Sequence, residues 1–447
     1  ERVRIGLIGC GIRGKKLCNL FKKEGEAQVV AICDPDTAQM DRLAGQQFKS
    51  SPASVDQVQD YRKLLERNDI DAVLIASPNH WHVLQAIQSV QAGKHVYVEK
   101  PVSHDPWEGL QLLAASQKYN KVIAAGHQNR SDPGPRDGIA YVRSGALGKI
   151  EHVHICCVKN RSGIGKTDQP LPAPDTCNYD LWLGPAQDLP MHREQFHYDW
   201  HWIWNTGNGD IGNQGPHEID LANWTLGDPD APETIQAYGG RFGWDDAGET
   251  PNLIVAHYRQ AGIPVTIEVN DLALSPEKRV AANRNGVRTG IIIQCEEGFV
   301  KGGRGGMYAT GLDGGKPVQK FPGDGGKSHS TNFITAVKSN SDAHCASTVS
   351  TALKAALISQ MANLSFRTGD ARNLTEVKKE VAGNEVLERV LSDQAAQLNN
   401  WNLDEPVFQW GTTVKQSGNG KQLTGGDFNP AWLRKSGRGN FEVPEIA

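Results

Sequence analysis

No apolar run of about 18 or more residues occurs in the sequence, so no segment reads as a bilayer-spanning helix. A long basic block is missing as well. Lys and Arg number 47 against 51 Asp and Glu, a formal charge of −4, which removes the electrostatic footprint of a nucleic-acid binder. The eight cysteines stand at 10, 18, 33, 156, 157, 177, 295 and 345, with no CxxC pair and far below the density of a disulfide scaffold. Free, mostly buried thiols are expected. A signal-peptide pattern is also lacking, and the first residue is Glu1 rather than methionine. The expected compartment is the bacterial periplasm where a leader has been removed, and the cytoplasm otherwise. What remains is a chain of 447 residues, 38% hydrophobic and 22% charged, long enough for two or three domains. A small molecule is the expected partner, with neither nucleic acid nor membrane.

The most telling stretch is His95-Val96-Tyr97-Val98-Glu99-Lys100-Pro101, a β-branched and aromatic run ended by an acid, a base and a proline. It reads as a buried strand whose carboxyl end places Lys100 at the edge of a site. Upstream, the apolar strand Val3 to Ile8 runs into Gly9-Cys10-Gly11-Ile12-Arg13-Gly14, then a helical pattern, then a strand from Gln28 to Cys33 ending at Asp34. Alone, G-x-G-x-x-G is weak. Here Asp34 lies 20 residues beyond Gly14, where a dinucleotide fingerprint needs a partner for the ribose hydroxyls. Gly9 permits the tight turn, Gly11 lets backbone approach the pyrophosphate, and Gly14 allows close helix packing. The helix N-terminus then favours the phosphates. NAD rather than NADP is expected, because Asp34 repels a 2′-phosphate and Pro35-Asp36-Thr37 offers no cation to hold one.

A third apolar strand, Ala72 to Ala76, ends at Ser77-Pro78-Asn79-His80-Trp81-His82, and Val122 to Gly126 leads into His127-Gln128-Asn129-Arg130. Helices are expected over Tyr61 to Arg67, Asp105 to Tyr119, Ser330 to Lys338 and Thr348 to Phe366. The βα alternation puts a domain boundary near residue 128. Alternating apolar runs over 234–269 and 290–300 fit an antiparallel sheet, and the glycine-rich stretch 302–327 reads as loops. Five of the eleven tryptophans fall between 182 and 224, a concentration suited to stacking on sugar rings, with burial of any single one as the competing role. His217-Glu218-Ile219-Asp220, with His192, His197 and His201, also resembles a metal cluster, though no metal is expected.

With the glycine turn, the Ser77 to His82 loop and Glu99-Lys100-Pro101 in register, residues 1 to about 370 resemble the Gfo/Idh/MocA family of oxidoreductases. The resemblance implies an α/β protein: a Rossmann NAD-binding domain over 1–128, and an α/β domain with a large open, mostly antiparallel sheet over 129–370. Residues 371–447 are expected as an extension packed on the body. Gly9, Gly11, Ile12, Arg13, Gly14, Asp34, Ser77, Pro78, Asn79, His82, Glu99 and Lys100 are implied to hold NAD. Lys100, Gln128, Arg130, Trp202, Trp204, Asn213 and His217 are implied to meet the substrate. The family motif D-x-x-x-H-x-x-D appears as Asn213 to Asp220, with an amide at 213 that cannot ionise. Lys100 and His217 are therefore the implied catalytic pair, cation and base, for oxidising a secondary hydroxyl of a sugar or glycoside. An NAD-dependent glycosidase using transient oxidation is the alternative. A sensor on the same fold would need neither residue. A homo-oligomer, dimer or tetramer, is implied by the open sheet.

Overall fold

The computed structural model describes residues 2–49 and 54–447. Its first sheet holds β1 (Val3–Ile8), β2 (Ala27–Cys33), β3 (Asp56–Val58), β4 (Ala72–Ile75), β5 (His95–Val98) and β6 (Ile123–Ala125). All pairs are parallel, in the order β3-β2-β1-β4-β5-β6. Strands β4 and β5 are buried at every position, which is why they read as continuous apolar runs rather than as alternation. Strand order reverses between β1 and β4, so a crevice opens where Gly9 and Ser77 follow them. The helix Pro106–Lys118 starts where Asp105 and Glu108 form a capping box ahead of Pro106.

A second, twelve-stranded sheet adds β7 (Ile150–Val158), β8 (Thr234–Gly240), β9 (Leu253–Gln260), β10 (Ile263–Asn270), β11 (Thr289–Cys295), β12 (Gly298–Gly303), β13 (Gly306–Gly311) and β14 (Gln319–Pro322). It is completed by β15 (Asp370–Asn373), β16 (Val407–Trp410), β17 (Val414–Ser417) and β18 (Gln422–Thr424). The main path runs β14-β13-β12-β11-β7-β10-β9-β8-β16-β15. Of its pairings, β7 with β10 is parallel and the others are antiparallel. The turn from β9 to β10 uses Ala261 and Gly262, both at positive φ (51° and 80°), as a two-residue hairpin matched to strand twist demands. Ile219 and Leu221 of the helix Gly215–Thr225, with Ile358 and Met361 of the helix Val349–Arg367, pack with Ile155, Ile267 and Ile291 of the sheet.

Three expectations change. The stretch 302–327 carries strands as well as loops, the end of β12 with β13 and β14: Gly302 and Gly306 sit at φ 133° and 150°, and a Cβ on Gly302 would lie 2.4 Å from the Gly306 carbonyl. Close backbone approach replaced the side chains whose alternation would have marked a strand. The extension from 371 supplies β16 and β17, which pair with β8, so it belongs to the sheet edge. Spatial division also differs from division along the chain, because Phe333, Ile334, Val349 and Ala352 complete the cores of the first domain. All eight cysteines are free. Among the described residues, no helix is long and apolar enough to cross a membrane.

Candidate functional site

The crevice at the β1/β4 reversal has a volume of about 530 Å³. Gly9, Gly11, Ile12 and Arg13 form one wall. Gly9 takes φ 93° and a Cβ there would meet the Ala76 carbonyl at 2.6 Å, so no other residue fits the turn. At Gly11, N-cap of the helix Ile12–Phe21, an added Cβ meets nothing within 4 Å. Backbone can therefore be approached closely there, as a pyrophosphate requires. Gly14 lies beneath the turn rather than on the crevice wall; its Cβ would fall 1.8 Å from the Gly9 carbonyl oxygen.

Asp34 lines the crevice at 7% exposure and accepts from the Cys10 and Asp36 amides at 2.7 and 2.9 Å. Burial pushes its carboxyl up to about 6. Beyond it, the second domain reaches back: Asp36 caps the helix Thr37–Gln47 while accepting from His197 Nε2 at 2.8 Å and Thr176 Oγ1 at 2.6 Å. Arg42 of that helix also lines the crevice, a cation that sequence spacing did not place there. Ser77, Pro78, Asn79 and His82 form the opposite wall, with His82 Nε2 2.8 Å from the Ser77 carbonyl and Nδ1 2.6 Å from that of Pro101.

Glu99 and Lys100 stand at the far end. Arg13 pairs with Glu99 at 2.6 Å. Burial acts to raise Glu99, but Arg13 and Lys100 outweigh it and hold the carboxylate below its usual range. Lys100 Nζ donates to the Asn213 carbonyl at 2.6 Å and to its side-chain Oδ1 at 3.1 Å. Burial, helped by Arg13 and Arg304, lowers the ammonium to about 8. The carboxylate missing at 213 is supplied one turn earlier, since Asn213 Nδ2 donates to Asp210 Oδ1 at 2.8 Å. Burial would raise Asp210 also, but a two-pronged contact from Arg161, at 2.8 Å on each oxygen, keeps it ionised. Neighbouring Asp271 is pushed well up by burial and by Asp210, and holds a proton.

Several expected substrate contacts lie elsewhere. His217 is 5% exposed and set one layer back from the crevice wall; Arg304 Nη2 approaches its ring nitrogens at 3.2 and 3.3 Å. Burial and Arg304 pull it well below the usual range, so it is neutral. Gln128 does not line the crevice but buttresses it, donating to Tyr97 Oη at 2.6 Å and Glu99 Oε1 at 3.1 Å. Arg130 is consumed by Asp220 and Asp228, with Nε 2.8 Å from Asp220 Oδ2 and Nη1 3.1 Å from Asp228. Trp202 is buried beneath Arg161, 5.5 Å from its guanidinium carbon, and Trp204 lines a different cavity. These Trp positions were not separable by sequence because 199–202 is a 3₁₀ turn rather than a strand.

In their place the crevice carries Trp200, Arg161, Lys159 and Tyr198. Tyr198 takes φ 70°, a strained value for a bulky residue, and its hydroxyl accepts from Arg161 Nη1 at 2.8 Å. Burial raises its pKa above the ordinary phenol value, so the hydroxyl keeps its proton. Only the mixture of Tyr, Trp, His and Asp in 198–204 hinted at it. The histidines at 192, 197, 201 and 217 do not gather, and among the described residues no cluster of three or more His, Cys, Asp or Glu could hold a metal.

Comparisons with known proteins agree with this fold. Residues 3–127 match the oxidoreductase family's NAD-binding Rossmann fold, and 152–268 its C-terminal α/β domain, together more than half of the chain. A glycosyl hydrolase family 109 protein of a Shewanella species is 38% identical over 125 residues, 26% of this chain and 27% of that protein. An alpha-N-acetylgalactosaminidase of Shewanella oneidensis is 36% identical over 125 residues, 27% of each. The chain thus spans about a quarter of the length of these curated relatives. Among solved structures, the WlbA dehydrogenase of Bordetella pertussis, in complex with NADH and UDP-GlcNAcA, superposes with a TM-score of 0.58 at 20% identity, covering 81% of this chain and 97% of that one. Biliverdin reductase of Synechocystis, with biliverdin and NADP+, superposes at 0.58 with 14% identity, covering 80% and 98%. These two share the fold while their ligands differ. By its glycine turn, its Glu99-Lys100-Pro101 and its matched domains, the chain belongs to the Gfo/Idh/MocA oxidoreductase family.

Proposed function

We propose that the protein oxidises a secondary hydroxyl of a sugar or glycoside, with NAD in the β1/β4 crevice as hydride acceptor. The observation that carries this is Lys100: an ammonium lowered to about 8, on the crevice wall, held by Asn213 where the two domains meet. Gly9, Gly11 and the helix N-terminus fit a pyrophosphate, and Asp34 fits ribose hydroxyls. NAD, when bound, supplies the acceptor for the hydride. The chain's own residues manage the proton that must leave the same carbinol. Lys100 takes it from the hydroxyl oxygen, being poised near neutrality to gain and lose a proton. Asp210, reached through Asn213, keeps that end of the crevice electrostatically balanced as the proton arrives. Trp200 offers an apolar face for the ring.

A second reading is favoured by Tyr198. Glycoside cleavage through transient oxidation needs a proton donor for the leaving group, and a protonated phenol stands in the crevice. The curated relatives named above are glycosidases by name. Incubating the protein with a panel of glycosides in deuterated water, while following NADH absorbance and aglycone release, decides. Stoichiometric NADH with an intact keto-glycoside supports net oxidation. Aglycone release without net NADH, with deuterium in the freed sugar, overturns it in favour of the cleavage cycle.

A further inference from the structure

A second cavity, of about 360 Å³, shares no lining residue with the nucleotide crevice. Its walls come from distant parts of the chain: His104 and Asp105 after β5, Trp204 and Asn208 from the second domain, Asn363 and Arg367 from the helix Val349–Arg367, and Trp432 from the short helix Pro430–Leu433. Its size lies at the lower end of the ~300–1,000 Å³ typical of ligand pockets, room for one small ring but not for a dinucleotide.

The polar groups here are arranged for something other than each other. Asn363, 5% exposed, donates to the Asn208 carbonyl at 2.9 Å, which leaves its buried Oδ1 without a donor. His104, 8% exposed, sits with Nε2 3.1 Å from the Gly207 carbonyl, and its buried Nδ1 has no partner. With Nε2 donating, Nδ1 presents a lone pair. Buried polar atoms left unpaired are costly, so two on one cavity wall mark a place where a ligand or water completes the bonding. Arg367 adds donors. Its guanidinium carbon lies 3.8 Å from the Trp432 ring and 4.6 Å from that of Trp204, yet among the described residues it makes no ion pair or hydrogen bond. Two indoles thus hold a planar cation whose N–H groups are uncommitted.

We propose that this cavity is a second, non-catalytic binding site for one neutral saccharide unit. A hexose carries hydroxyls that both donate and accept and one face of C–H groups. The cavity offers acceptors on Asn363 and His104, donors on the Arg367 guanidinium that Trp204 and Trp432 hold, and apolar surface on Leu189, Leu364 and Ala431. An anionic ligand suits it less, because Asp105, and Glu249 at the rim, stand beside the cations Lys435 and Arg367. A metal ion lacks the ligand set. The two cavities are not isolated: Asn79 of the crevice wall donates to Asn208 Oδ1 at 3.0 Å. A saccharide in the second site would therefore sit beside the loop that forms the crevice, suited to anchoring a longer glycan.

The test is binding stoichiometry on the NAD-loaded protein. Methyl glycosides of common neutral hexoses and N-acetylhexosamines, with sodium glucuronate as the charged comparison, are titrated calorimetrically into wild type, Arg367→Gln, Trp432→Ala and Lys100→Ala. A neutral glycoside is expected to bind at a site that survives Lys100→Ala and weakens about tenfold or more in both Arg367→Gln and Trp432→Ala. Circular dichroism and melting confirm that each variant is folded, and Trp432, on a short surface helix, backs up Arg367 if that variant fails to fold. NADH formation on a simple glycoside should not change in Arg367→Gln. Retained affinity in both variants, loss of all sugar binding in Lys100→Ala, or tighter binding of glucuronate than of every neutral sugar would each overturn the proposal. Failure of NADH formation with this binding intact would instead remove the redox reading and leave the second site standing.

Discussion

Replacing Lys100 by Met keeps its length and removes its charge, and the outcome should separate catalysis from stability. Burial lowers the ammonium from its ordinary 10.5 to about 8. At about 1.4 kcal/mol for each tenfold change in proton affinity, that is roughly 3 kcal/mol, and partial exposure of the side chain reduces it to on the order of 1–2 kcal/mol. The sign follows from proton counting. Between about pH 8 and 10.5 the unfolded chain holds a proton at Lys100 that the folded one has released, so wild-type stability rises with pH across that window. Below about 8 the penalty is fully present; above 10.5 it is gone. Lys100→Met carries no such term, and its lost bonds to Asn213 are a constant that cancels in the comparison. With an unfolding entropy of about 0.9 kcal/mol/K for 447 residues, the melting temperature of the variant minus that of wild type should therefore fall by roughly 1–2 °C between pH 7 and 10.5. In parallel, wild-type kcat/KM should climb with pH and level off above about 8, a limb absent from the variant, whose rate drops about 100- to 10,000-fold. A melting difference that does not change with pH, or that widens as pH rises, would refute the argument that Lys100 is held against its preferred charge.

Three further outcomes are expected. NAD should bind at least about tenfold tighter than NADP because Asp34 lines the crevice, and the preference should narrow as pH falls through about 6 and its carboxyl gains a proton; equal NADP affinity at pH 7.5 would show that Arg42 dominates instead. Trp200→Ala should raise substrate KM with little change in melting, whereas Trp202→Ala, in a buried position, should lower stability by about 3–5 kcal/mol; the reverse pattern in paired kinetics and melting would exchange their roles. Arg130→Met leaves Asp220 buried and unpaired, which should cost about 3–5 kcal/mol in denaturant titrations while substrate KM of the folded fraction holds; a raised KM at unchanged stability would return Arg130 to the substrate.

The first domain was legible because its signals are local. Gly9 and Gly14 are required by contacts within one βα turn, and strands buried on both faces write themselves as apolar runs. Lys100 was legible for the same reason, standing where a strand ends. The second domain is less so. Arg130 and Arg161 are chemically alike in sequence, yet one is sequestered by Asp220 and Asp228 and the other reaches the crevice through Asp210, a difference set by helices far apart in the chain. Arg304 at the glycine hairpin tip reaches His217 over a separation of 87 residues, beyond any local pattern. Tyr198 has a left-handed backbone that no residue preference for tyrosine would suggest.

The shared cores of the first domain bear on how the protein is made. Tyr97 on β5 packs edge-on against Phe333 with ring centroids 5.7 Å apart, and Trp81 against Phe441 at 5.4 Å. A ribosome finishes β6 about 200 residues before it supplies Phe333, an interval on the order of 10–40 s at about 5–20 residues per second. Through that interval the nascent nucleotide-binding sheet carries uncovered aromatic surface, a target for chaperones. Any fragment cut near residue 128 keeps that surface exposed and should aggregate.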